Sequence, residues 1–160
     1  MYIATILTLL LALPMAILAF PSPRVGQDHL EVLRMRASTR INPTAVTDTV
    51  CDDPDANIVF HDQNVAELAI CGGIAGSITK CSGAPTLTTG SSGSAKFTLS
   101  ALNNGATINL TKGRWEACVR AAAAVCPTGT FSSVCIGGAS SGDVAFTLDE
   151  REESIFMIQR

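Results

Sequence analysis

Aromatic side chains are scarce in this chain: one Trp, one Tyr and six Phe among 160 residues. Histidine is scarcer still, with His29 and His61 the two present. A cysteine nucleophile needs a base beside it, so any such pair past residue 50 has to recruit His61. No G-x-S-x-G stretch occurs, and "CIGGASSG" at 135–142 has glycines and serines without the central spacing or a base. The cysteine spacings 71/81 and 118/126 are not the tight pairs of structural zinc sites. After residue 20 no segment is apolar enough to span a bilayer. These shortages argue against a Ser or Cys hydrolase, a zinc module and a multi-span membrane protein.

What is present begins with "MYIATILTLLLALPMAILAF", uncharged past its amino terminus and followed by "PSPR". That pattern reads as a secretory signal at residues 1–19, cut after Ala19, because a cut after Phe20 would place Pro21 where signal peptidase tolerates it poorly. The competing reading is a membrane anchor, since the apolar run is nearly long enough to cross; Pro14 and the terminal position favour removal. The six cysteines, Cys51, Cys71, Cys81, Cys118, Cys126 and Cys135, all follow the signal. An even count in a short exported chain reads as three disulfides. Six cysteines allow fifteen connectivities, and sequence does not choose among them.

Residues 20–50 are polar, proline-flanked and carry Arg24, Arg34, Arg36 and Arg40. They read as a pro-segment or flexible linker. "LRMR" at 33–36 resembles the Leu-x-x-Arg signal in pro-segments of some secreted fungal proteins, which marks Arg36, and alternatively Arg40, as processing points. An amphipathic helix over "DHLEVLRM" is the equal alternative. Removing residues 1–40 takes four arginines and two acids from the 11 basic and 14 acidic residues of the whole, leaving 7 and 12, net −5. That balance opposes nucleic acid and anionic membranes as partners.

Residues 51–150 form the expected folded domain, and 151–160 a tail that either frays or adds an edge strand. "NIVFH" at 57–61 predicts a short strand. A helix follows, with Asp62 as N-cap candidate and Val65, Leu68 and Ala69 at helical spacing. "SGAPTLTTGSSGS" at 82–94 has loop composition. "AKFTLSALNNGATINLT" predicts a hairpin turning at Asn104 and Gly105, with Phe97, Leu99, Ile108 and Leu110 facing inward. In "KGRWEACVRAAAAVC" a stripe of Trp115, Cys118, Val119, Ala122 and Val125 predicts an amphipathic helix ended by Pro127, with Glu116 and Arg120 on its outer side. A loop at 127–142 and a strand over "DVAFTLD" complete the domain. The order strand, helix, hairpin, helix, strand predicts an α+β fold: a βαββαβ ferredoxin-like sandwich, two helices on one face of a four-stranded antiparallel sheet, stapled by disulfides.

The same topology serves RNA-recognition modules, which stack bases on sheet aromatics. The corresponding positions here, Thr107, Asn109, Ala145 and Thr147, carry no ring. "DPDAN" at 53–57 starts like a calcium loop, but Ile58 and Asn64 stand where the turn glycine and distal glutamate belong, so Asp52, Asp53 and Asp55 read as a solvated turn. Glu67 and Glu116 are placed on the solvent sides of their helices. No catalytic set, metal site or cofactor is expected. "NLT" at 109–111 marks Asn109 as an N-glycosylation acceptor, whereas Asn42 is excluded by Pro43.

With its signal, pro-segment and Ala- and Gly-rich six-cysteine domain, including "WEACVRAAAAVC" as second helix and "DVAFTLD" as last strand, the chain resembles small secreted effectors of plant-pathogenic fungi. More narrowly it looks like those sharing the fold of the virally encoded killer toxins of smut fungi. The resemblance implies a non-enzymatic virulence protein, monomeric and extracellular in the host apoplast, that meets a host protein or cell-wall component. A toxin acting on competing microbes is the alternative, and a small hydrolase built around His61 a third.

Overall fold

In the computed structural model the described residues are 34, 37, 38, 40–72, 81 and 85–151. The signal and its cut at Ala19, most of residues 20–39 including Arg36, and the tail beyond 151 lie outside them.

A 3-10 turn, Pro43–Ala45, opens the domain, with the Asn42 carboxamide oxygen accepting from the Thr44 amide at 3.2 Å. Then come β1 (Val46–Asp53), α1 (Phe60–Ala69) with a closing 3-10 turn at Ile70–Gly72, β2 (Leu87–Ser92), β3 (Ala95–Ala101), α2 (Lys112–Val125), β4 (Thr130–Cys135) and β5 (Val144–Glu150). The strands form one antiparallel sheet in the order β1-β4-β5-β3-β2. The α+β class, the two helices and the three disulfides agree with the sequence reading. The strand count and order do not: among the described residues five strands replace four, and α2 is followed by two strands, giving βαββαββ.

Each difference has a physical cause. "NIVFH" forms no strand; the Val59 amide donates to Ser94 Oγ at 2.9 Å, and Phe60 and His61 open α1. The edge beside β4 is taken instead by residues 46–53, whose β-branched "VTDTV" falls within the expected linker, so the folded domain starts before residue 51. The Asn104-Gly105 turn exists, with Gly105 at φ +76°. Residues 106–110 nevertheless cannot pair with β3, because β2 and β5 already occupy both its edges. They run extended, linked by one bridge between Ile108 and Ala139 and by the Asn109 amide donating to the Gly138 carbonyl at 2.9 Å. Ile108 and Leu110 are buried as expected, by packing without a ladder. β2 and β4 arise from the two stretches that composition assigned to loops.

Both helices cover one sheet face. Inward side chains alternate along the strands: Ala95, Phe97 and Leu99 on β3, Val144, Phe146 and Leu148 on β5, Phe131 and Cys135 on β4. Trp115 of α2 meets Phe97 and Phe146 edge-to-face at 5.3 and 5.1 Å, and Phe131 closes the cluster. Such ring pairs add about 0.5–1.5 kcal/mol each beyond their area. The indole N–H of Trp115 donates to the Glu67 carbonyl at 3.0 Å, tying α2 to α1 inside the core. α1 lies directly on β2, where Gly90 leaves no side chain between helix and strand.

Candidate functional site

Disulfides set the frame. Cys51 of β1 joins Cys126 at the end of α2, Cys71 joins Cys81, and Cys118 of α2 joins Cys135 of β4. No free thiol remains, so His61, exposed in the first turn of α1, has none to activate. Among the described residues no group of three or more His, Cys, Asp or Glu gathers as a metal would require, and no helix is long and apolar enough to cross a membrane.

Sequence misplaced the two helical glutamates: Glu67 is 5% and Glu116 7% exposed. Both helices therefore bury an arc wider than one apolar stripe. By contrast Val125, assigned to that stripe, is 58% exposed. The sheet face away from the helices bears Thr89, Thr98, Thr147 and Ser132 side by side across four strands. Thr107 and Asn109, expected there, stand outside the sheet. All three strand phenylalanines, Phe97, Phe131 and Phe146, point to the helices, so this face offers no stacking ring among the described residues. Asn109 is exposed two residues before Thr111, whose hydroxyl caps α2 by accepting from the Arg114 amide at 3.2 Å. Arg40 is exposed, and its amide donates to Ser38 Oγ at 3.0 Å.

The acidic turn is ordered by its own backbone. The Asp55 amide donates to the Asp53 carboxylate at 3.0 Å, the Asp53 amide to Thr130 Oγ1 at 3.0 Å, and Ser132 Oγ reaches Asp52 at 3.4 Å. None of these arrangements gathers oxygens around a cation.

That turn borders a cleft of about 490 Å³. One wall is residues 54–58 with Phe60 and Gln63; the other is Ala123 and residues 126–129; Phe131 lies at its base. The walls are fixed covalently by Cys51–Cys126 and sterically by Gly129, which sits at φ +75° so close to the Asp53 carbonyl that a Cβ there would clash with it. Phe60 is 76% exposed, and Val59 and Val125, next to the cleft in sequence, are 50% and 58% exposed. Asp55 is the one ionisable side chain lining the cleft among the described residues. Phe60 stays outside because the residues after it are held inward: the Asp62 carboxylate accepts from the amide and hydroxyl of Ser94 at 2.9 and 3.0 Å. These hydrogen bonds hold the Asp62 carboxyl below the ordinary carboxylate range. Sequence gave no local signal for this, since Ser94 lies 32 residues downstream.

No protein-family model, curated protein or solved structure matches the chain, so the chemistry of this cleft rests on its own residues.

Proposed function

We propose that the chain is a secreted, non-enzymatic binding protein of effector type, which meets a host protein or cell-wall component outside the cell and uses the cleft as its contact surface. The setting is that of small effectors of plant-pathogenic fungi, with a glycan on Asn109. The observation that carries this reading is Phe60, a large apolar ring left in solvent at the mouth of a cleft whose walls are crosslinked. Isolated surface apolar residues are ordinary; Phe60 differs in lining a cleft whose other wall is crosslinked to β1. Rigid walls also lower the ordering cost of association. The three crosslinks suit an oxidising compartment and resistance to extracellular proteases.

The test is capture from host extracts on immobilised oxidised protein, run in parallel with Phe60→Ala. A component retained by the parent and lost by the variant, with intact mass showing three crosslinks in both, supports the reading. Extracts that yield no component, or one held equally by both, refute the cleft as contact surface.

A further inference from the structure

We infer that the occupant of this cleft is an extended, positively charged peptide segment carrying an aliphatic or aromatic anchor residue. The inference rests on the cleft being the contact surface and adds the partner's chemistry.

Charge comes first. Residues 52–55 hold three carboxylates in four positions, with Asp55 on the cleft wall. α2 ends at the opposite wall, and no basic side chain occupies its last turn to offset the carbonyl end of its dipole, equivalent to about half a negative charge. The first turn of α1, which also borders the cleft, has no side-chain cap, but Asp62 within it offsets the roughly half positive charge of its amide end. That end therefore does not cancel Asp55 and the carbonyl end of α2, and the balance at the cleft is negative. A cation entering here meets attraction with no competing basic group among the lining residues.

The apolar part calls for an anchor. Phe60 at the mouth and Ile58, Pro54 and Pro127 on the walls form a surface that gains by covering an apolar side chain. An extended backbone suits what is left: the carboxamides of Asn57 and Gln63 line the cleft and can both donate to and accept from peptide groups. A neutral glycan would satisfy those amides but leave the carboxylates unanswered, and an acidic segment would be repelled.

Fluorescence anisotropy with the oxidised protein tests this, using three labelled peptides of equal length: alternating Arg and Leu, alternating Glu and Leu, and alternating Arg and Ser. The Arg/Leu peptide is expected to bind best. Phe60→Ala is expected to weaken it about tenfold, as loss of a central ring does at interfaces, and Asp55→Asn about threefold, as for an exposed charge pair. Both positions are exposed, so neither variant disturbs the core. Raising NaCl from about 50 to about 500 mM should remove most of the Asp55 effect. Equal or tighter binding of the Glu/Leu peptide overturns the charge assignment while leaving the cleft as a contact surface. Arg/Leu binding that ignores both substitutions, or no binding by any of the three, overturns the inference, whereas failure of extract capture is what refutes the wider reading.

Discussion

The contact most sensitive to a single methyl group lies between β2 and α1. A Cβ built on Gly90 would stand 2.4 Å from the Ala66 carbonyl oxygen, 2.5 Å from the Ile70 amide nitrogen and 2.9 Å from Ile70 Cγ2. The first two are backbone atoms four residues apart, brought together by one helical turn, so no rotamer change relieves them. Ordinary contact begins near 3.4 Å, so α1 has to retreat by about 1 Å. Ala66 and Ile70 are both fully buried, and a gap of that size forfeits a quarter to a half of their dispersion contact with the sheet. Overpacking of this kind costs about 1–3 kcal/mol, offset by about 0.4–1 kcal/mol from the stiffer unfolded chain. Gly90→Ala should therefore lose about 1.3 kcal/mol net, and Gly90→Val more. The assay is guanidinium denaturation of the oxidised protein: the midpoint should fall with the slope unchanged. Gly105→Ala is the control, since Gly105 has φ +76° and open space around its Cβ position, isolating backbone strain from collision. A Gly90→Ala midpoint indistinguishable from the parent would refute the close approach of helix and strand.

Trp115→Phe keeps most of the ring but removes the indole donor to the buried Glu67 carbonyl, and should cost about 1–3 kcal/mol; circular dichroism must report it, because the variant has no tryptophan, and an unchanged melting curve would sink the indole link. Among paired Cys→Ser variants, loss of Cys51–Cys126, 75 residues apart, should be worst at about 4 kcal/mol, against about 3 for Cys118–Cys135 and Cys71–Cys81, 17 and 10 apart; a ranking with Cys71–Cys81 first contradicts the chain-entropy account. Asp62 titrates below its unfolded value, so its contribution is present above about pH 4 and is lost as pH falls through the folded value. Asp62→Asn should then flatten the stability profile in the acid range, and parallel profiles for parent and variant would exclude the Ser94 lock.

Much of the fold was legible where one local rule governed one element. α2 followed from its stripe and its stop at Pro127, β5 from strict alternation, and the inward set Phe97, Leu99, Ile108 and Leu110 from the period of two. Errors arose where pairing partners decide. The β-branched run at 46–50 and the hydroxyl-rich 87–92 and 130–135 are strands because neighbouring edges accept them, and no composition rule sees an edge. The candidate site was the least legible. Of the three aspartates that read as a solvated turn only Asp55 stands in one, because Asp52 and Asp53 end β1; Phe60, which reads as a strand residue beside Ile58, opens α1, and its exposure depends on Ser94 holding Asp62 from another part of the chain.

The same residues that defeated the sequence reading are those that build the cleft. Had "NIVFH" paired as a strand, Ile58 and Phe60 would share one face and both would be buried; capture of Asp62 by the β2–β3 turn starts the helix at Phe60 and separates them, with Ile58 half-buried and Phe60 in solvent. Gly93 makes that capture possible, because it sits at φ +44° with the Asp62 carboxylate where a Cβ would be. The opposite wall depends equally on a glycine, Gly129 against the Asp53 carbonyl, and on the bridge from Cys51 to Cys126. Two close approaches at glycine, and one covalent link, thus hold an apolar ring and an acidic side chain on one wall of the opening, against the end of α2 on the other. A surface serving only to enclose the core has no need of the exposed ring, and Phe60→Ala should therefore alter binding while leaving stability nearly unchanged.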